Sequence, residues 1–108
     1  MNIRLISGIY GGRKIIAPGG SRTHPMSERV RNALFNSIGD EIVDADILDA
    51  FAGTGSIGLE ALSRGAKRAV FVERDRLAQG ILVENAVDQH TQIVAFKVNP
   101  VIAKAEAM

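Results

Sequence analysis

Two acids and a pair of glycines are the residues of this sequence best placed to do chemistry. Asp49 follows the apolar pair Ile47-Leu48 and precedes Gly53 by four residues, while Glu73 closes a second apolar run, Ala69 to Val72, about twenty residues further on. Between them, Gly53-Thr54-Gly55 leads into Ile57-Gly58-Leu59-Glu60-Ala61-Leu62, which reads as helix. The order is strand, glycine turn, helix. Glycine at 53 and 55 allows positive φ and sets no Cβ between the main chain and a ligand lying at the carboxyl end of the strand. A tight β-to-α turn that binds nothing has the same local pattern and stands as the plain alternative.

The pattern admits more than one ligand. Gly53, Gly55 and Gly58 fit G-x-G-x-x-G, and with Glu73 they match the dinucleotide fingerprint. Asp49 argues the other way, because a carboxylate at the strand tip repels a pyrophosphate and welcomes a cationic or hydroxyl-bearing ligand. The 46 residues before Ile47 are also unusual for a dinucleotide domain. Glu73 can accept hydrogen bonds from both ribose hydroxyls of an adenosine, which nicotinamide and methyl-donor cofactors share, so it does not discriminate. Its plain alternative is an exposed strand-end acid paired with Arg74 or Arg76.

The elements that must position these groups follow from local signals. Ile3 to Ile9 and Arg13 to Ala17 read as a hairpin around Tyr10-Gly11-Gly12, followed by the loop Pro18 to Ser21 and the basic loop Arg22 to Met26. Ser27 caps a helix from Glu28 to about Ile38, stopped by Gly39, with Val30, Ala33, Leu34 and Ile38 expected inward. An acidic connector, 39–45, leads to the first strand of a sheet at 46–50. Gly65 closes the next helix, and the second strand runs from Ala69 to Val72. Asp75 caps a helix to about Asp88 with Leu77, Ala78, Ile81, Leu82 and Ala86 inward, and Gln92 to Val98 reads as a third strand. Val101 to Met108 is expected to be a helical turn or a frayed tail.

Composition bounds the possibilities. With 108 residues, 46% hydrophobic and 23% charged, the chain has ordinary globular make-up. The absence of cysteine excludes a disulfide framework, a cysteine zinc site and a thiol nucleophile. No run is long enough to span a bilayer, and Arg4 and Ser7 interrupt the apolar start, so a soluble cytoplasmic protein is expected. Net charge is only +1, yet residues 1–31 hold six cations against Glu28 alone, and residues 32–66 hold six acids against Arg64 alone. Such asymmetry suits either a nucleic-acid contact at the basic end or a solvated face.

Asp49-Ala-Phe-Ala-Gly53-Thr-Gly55 resembles motif I of the class I S-adenosylmethionine-dependent methyltransferases. The longer string from Leu48 to Ala66, together with Ile6 to Lys14 and Thr23 to Asn36, is similar to one branch, the bacterial RsmD family, over residues 3 to about 90. The resemblance implies an α/β fold: an incomplete Rossmann-like sheet of about three parallel strands, residues 27–108, preceded by a basic hairpin and loop, residues 1–26. It implies S-adenosyl-L-methionine as cofactor, held by Asp49, Phe51, Gly53, Thr54, Gly55, Glu73 and Arg74, with Asn36 near the pocket. It also implies methylation of guanine N2 in small-subunit ribosomal RNA, contacted by Arg13, Lys14, Arg22, His24 and Arg29. His24 stands where relatives commonly carry arginine, and Asn99 is a candidate acceptor for the adenine amino group.

One family feature is absent. The Asp/Asn-Pro-Pro-Tyr-type motif that holds the target amine does not occur, and Asn99-Pro100-Val101-Ile102 lacks its second proline and aromatic ring. These residues are therefore expected to bind the donor without turning over, with no catalytic residue or metal site among them. The competing readings are a non-catalytic RNA-binding or assembly module and a nicotinamide-dependent fragment. Lacking a neighbour on one side, the strand ending in Asp49 is expected to be an exposed edge open to self-association.

Overall fold

Polar signals at the ends of the first helix decide where it starts and stops. In the computed structural model, which describes residues 2–16, 27–50, 53–73, 75–88, 92–96 and 101–106, with only the backbone past Asn85, α1 spans Glu28–Ile38. The Ser27 hydroxyl accepts the Val30 N–H at 3.2 Å, and Gly39 ends the helix at φ 63°. A 3₁₀ turn, Gly39–Ile42, occupies the acidic connector.

Before α1 lies the hairpin of β1 (Asn2–Arg4) and β2 (Lys14–Ile16), antiparallel with Arg4 opposite Lys14. Its strands are shorter than the runs 3–9 and 13–17 suggest. From Ile6 onward the backbone donates elsewhere: Ile6 and Ser7 N–H to Glu60, Ile9 N–H to the Ser63 carbonyl.

The main sheet begins with β3 (Asp46–Asp49) and β4 (Arg68–Glu73), joined in parallel through α2 (Ser56–Ser63), the crossover that parallel pairing requires. α3 (Arg76–Asp88) follows, then β5 (Gln92–Phe96) and β6 (Val101–Glu106). The order is β3-β4-β6-β5, with β6 antiparallel to both neighbours. Strands β3, β4 and β5 thus share a direction, as expected of a Rossmann-like sheet. The carboxyl-terminal segment corrects the reading of a helical turn or frayed tail, because the free edge of β4 supplies backbone partners that a short segment lacks alone. β3 is the edge strand.

One core joins the hairpin to the sheet. Leu5, Tyr10 and Ile15 cluster with Phe35, Ile42, Leu59, Leu62, Ala69, Phe71 and Leu82. α2 is buried along nearly its whole length, so it is the hub. Two helix faces depart from expectation. On α1 it is Arg31 and Phe35 that turn inward, while Val30 is 53% exposed and Ala33 and Leu34 also face out. On α3, Ala78 and Leu82 are buried as expected and Ile81 is half-buried, but Leu77 is exposed and Asn85 joins the buried stripe; the Ala86 side chain lies outside the described residues. On α1 a polar residue with a tertiary partner, Arg31 bonded to Glu60, sets the rotation and overrides the apolar count. No helix among the described residues is long and apolar enough to cross a membrane.

Candidate functional site

β3 ends in Asp49 and β4 in Glu73, and parallel pairing brings these two tips to the same end of the sheet. Between them Gly53 and Gly55 adopt φ of 55° and 89°, conformations that a side chain would strain. Asp49 is 8% exposed, and its Oδ2 accepts the Gly58 N–H at 3.1 Å. Glu73 uses both oxygens to brace the turn: Oε1 accepts the Gly53 N–H at 2.8 Å, Oε2 the Asp75 N–H at 2.8 Å. The second acid therefore ties its own strand tip to the glycine loop.

Gly55 and Gly58 also serve packing. A Cβ on Gly55 would lie 2.4 Å from Leu82 Cδ1, and one on Gly58 would lie 2.2 Å from the Phe71 ring. The open approach expected at Gly55 is thus filled by the core, and Gly58 lets α2 close on β4.

Burial pushes the Asp49 carboxyl above its ordinary value; the Gly58 N–H offsets part of that rise, and the charge of Glu73 adds to it. The tip of β3 is consequently short of positive charge. A cation placed there would offset the repulsion from Glu73 and favour the ionised carboxyl.

Of the other residues expected at the site, Thr54 is buried, with its carbonyl accepting from Asn85 at 3.0 Å. Asn36 lies exposed on α1 and makes no hydrogen bond to the loop among the described residues. Phe51, Arg74, Arg22, His24 and Asn99 fall outside the described residues. Arg13, Lys14 and Arg29 are exposed, and the Arg13 guanidinium lies 5.3 Å from the centre of the Tyr10 ring.

Sequence reasoning missed the residues that hold this arrangement together. Glu60, in the middle of α2, is fully buried and takes four donors: Ile6 N–H and Arg31 Nε on one oxygen, Ser7 N–H and Arg64 Nε on the other. Arg31, counted above in the basic half, is equally buried and donates to the Arg4 carbonyl, so it is a structural cation with no face to an RNA. Arg64 also stacks on Phe35 at 4.9 Å. Ser63 Oγ accepts the Tyr10 N–H at 3.0 Å and donates to the Ser7 carbonyl. The available signal was an acid flanked by Leu59, Ala61 and Leu62, with an arginine four residues on.

A family model described as Conserved hypothetical protein 95 matches residues 3–106. The chain belongs to this family. It is 47% identical over 83 residues to the Ribosomal RNA small subunit methyltransferase D of Escherichia coli (strain K12), covering 77% of this chain and 42% of that protein. Against the Putative rRNA methyltransferase YlbH of Bacillus subtilis (strain 168) it is 44% identical over 73 residues, 68% of this chain and 40% of that protein. Among solved structures, the putative methyltransferase yhhF from Escherichia coli superposes with a TM-score of 0.75 at 43% identity, over 83% of this chain and 48% of that one. The chain thus spans less than half the length of these relatives.

Proposed function

We propose that these residues form the methyl-donor half of an S-adenosyl-L-methionine-dependent methyltransferase acting in the cytoplasm on guanine N2 of small-subunit ribosomal RNA. The observation that carries the reading is the buried Asp49 carboxylate at a strand tip beside Glu73, a place that favours positive charge. S-adenosylmethionine would supply a methyl group already activated on a sulfonium. The chain's own residues orient it. Glu73, steered by two backbone N–H groups, keeps a further acceptor position on each oxygen for a pair of ribose hydroxyls. Asp49, fixed by Gly58, offers its charge to the cationic part of the donor. Phe51, Arg74 and Asn36 complete the proposed pocket, and residues 1–26 form the RNA-facing unit ahead of the donor-binding unit, 27–108.

Arg4 and Lys14 face each other across the hairpin with Arg13 alongside. Like charges in opposed positions destabilise a sheet, and phosphates would relieve them. Arg22, His24 and Arg29 extend the same proposed RNA contact.

Calorimetric titration tests the donor site directly. S-adenosylmethionine and S-adenosylhomocysteine should bind and NAD should not; binding of NAD alone would overturn the reading. Asp49→Asn should weaken S-adenosylmethionine roughly tenfold to a hundredfold, the range expected for losing a charged partner.

The same substitution should raise stability at neutral pH. The folded chain holds the Asp49 proton more tightly than the unfolded chain, so this group's contribution is greatest below its ordinary value of 3.8 and is lost as pH rises through the raised folded value. An amide at this position can still accept from Gly58 without the charge. Thermal melts should therefore show Asp49→Asn more stable than the parent at pH 7, with the gain gone below pH 3.8. Donor affinity of the parent should fall as Asp49 takes up its proton.

A further inference from the structure

We infer that Asn85 is a positioning residue that couples the basic hairpin to the glycine loop, so that ordering either one favours the other. Calling the loop a donor site rests on the function proposed above; the mechanical link does not.

Asn85 lies in the buried stripe of α3, and both the oxygen and the nitrogen of its side-chain amide are hydrogen-bonded. Oδ1 accepts the Ile16 N–H at 2.8 Å, and Nδ2 donates to the Ile16 carbonyl at 2.8 Å and to the Thr54 carbonyl at 3.0 Å. An amide has two N–H groups, and here each goes to a different segment. Toward β2 it behaves as a residue of a neighbouring antiparallel strand would, taking the N–H and C=O that Ile16 turns away from β1. Toward the loop it fixes the carbonyl between Gly53 and Gly55, two residues whose backbone has no side chain to restrain it. Gly53 is braced on its other side by Glu73. One buried group therefore sets the loop and the outer edge of the strand that carries Lys14.

The consequence is reciprocal. If ligand in the loop orders the Thr54 carbonyl, the amide is ordered with it, and Ile16 gains a better-fixed partner; coupling free energies of this kind run to factors of about five or more. Nothing else in the described residues joins β2 to the loop by hydrogen bonds.

Ile16→Pro and Asn85→Ala, singly and together, test the inference. Ile16→Pro removes the one N–H that Asn85 Oδ1 accepts, on the side of the strand turned away from β1, and touches the loop only through Asn85. In the ligand-free chain it should speed amide exchange at Gly53 about tenfold, and it should weaken S-adenosylhomocysteine about fivefold by calorimetry. The double variant should be no weaker than Asn85→Ala alone, because both act through one group. Unchanged Gly53 exchange in Ile16→Pro, or losses that add in full, would overturn the inference. Should Asn85→Ala fail to fold, the unmodified chain decides: S-adenosylhomocysteine should slow exchange of the Ile16 amide, and no slowing counts against the link. Absence of any S-adenosylhomocysteine binding would defeat the donor reading instead, with Gly53 exchange in Ile16→Pro still deciding the link.

Discussion

Glu60→Ala should lower folding stability by about 4 kcal/mol and move the urea midpoint down by roughly 2 M. The carboxylate is fully buried and satisfies two guanidiniums and two backbone N–H groups drawn from three separate parts of the chain. Truncation leaves Arg31 as a buried charge without its acid, and orphans the Ile6 and Ser7 amides, each worth about 1–3 kcal/mol when stranded. Glu60→Gln should be nearly as harmful, since its NH₂ would point at donors already on that side. Arg31→Met is the informative comparison. Arg31 makes fewer bonds than Glu60, and its Nη1 is buried without a partner, so its removal also relieves a penalty. Glu60 then keeps Arg64 and both amides. Arg31→Met should cost about 1–2 kcal/mol, less than half the effect of Glu60→Ala. Equal losses in the two variants, or a Glu60→Ala loss below about 1 kcal/mol, would mean that the network is not what holds the hairpin and α1 to α2.

The same network explains which parts of the molecule were legible in the sequence. α1 runs from 28 to 38 as its cap residues indicate, because Ser27 and Gly39 act within one turn of the chain. The cap from Asp75 to Ala78 and the positive φ of Gly65 are local in the same sense. Strand β3, the glycine turn and β4 were readable because apolar runs and glycines at fixed spacing are specific to that unit. The buried face of α1 was not. Val30, Ala33 and Leu34 outnumber the alternatives on an apolar count, yet the helix turns on Arg31, whose partner lies 29 residues away on α2. Asn85 likewise reads as one more polar helical residue until Ile16, 69 positions earlier, is seen to supply its partners. β6 depends on the free edge of β4, a condition invisible in Val101 to Glu106 alone. Each miss is a polar or backbone contact made across distant parts of the chain, which periodicity does not encode.

Gly8 makes the same point and carries the second large effect. The turn signal Tyr10-Gly11-Gly12 draws attention from it, but Gly8 is where the hairpin meets the end of α2. It adopts φ 86°, and a Cβ built on it would lie 1.8 Å from the Ser63 carbonyl oxygen and 2.8 Å from the Arg64 nitrogen. Both obstacles are backbone of a buried helix, which cannot step aside as a side-chain end would. Gly8→Ala must therefore lift the loop off α2, breaking the Ile9-to-Ser63 bond and the two bonds of the Ser63 hydroxyl. Leu5 and Tyr10 would lose part of their burial with it. A loss of more than about 4 kcal/mol follows, at the extreme of single substitutions. Gly12→Ala separates the causes, because Gly12 has a similar φ of 84° with nothing within 4 Å of the added Cβ. It carries the left-handed penalty alone, about 1–2 kcal/mol. Melting both variants beside the parent should give a small fall for Gly12→Ala and loss of the cooperative transition, or a very large fall, for Gly8→Ala. Equal falls would show that the close approach of Gly8 to Ser63 contributes nothing, and that backbone conformation is the whole effect.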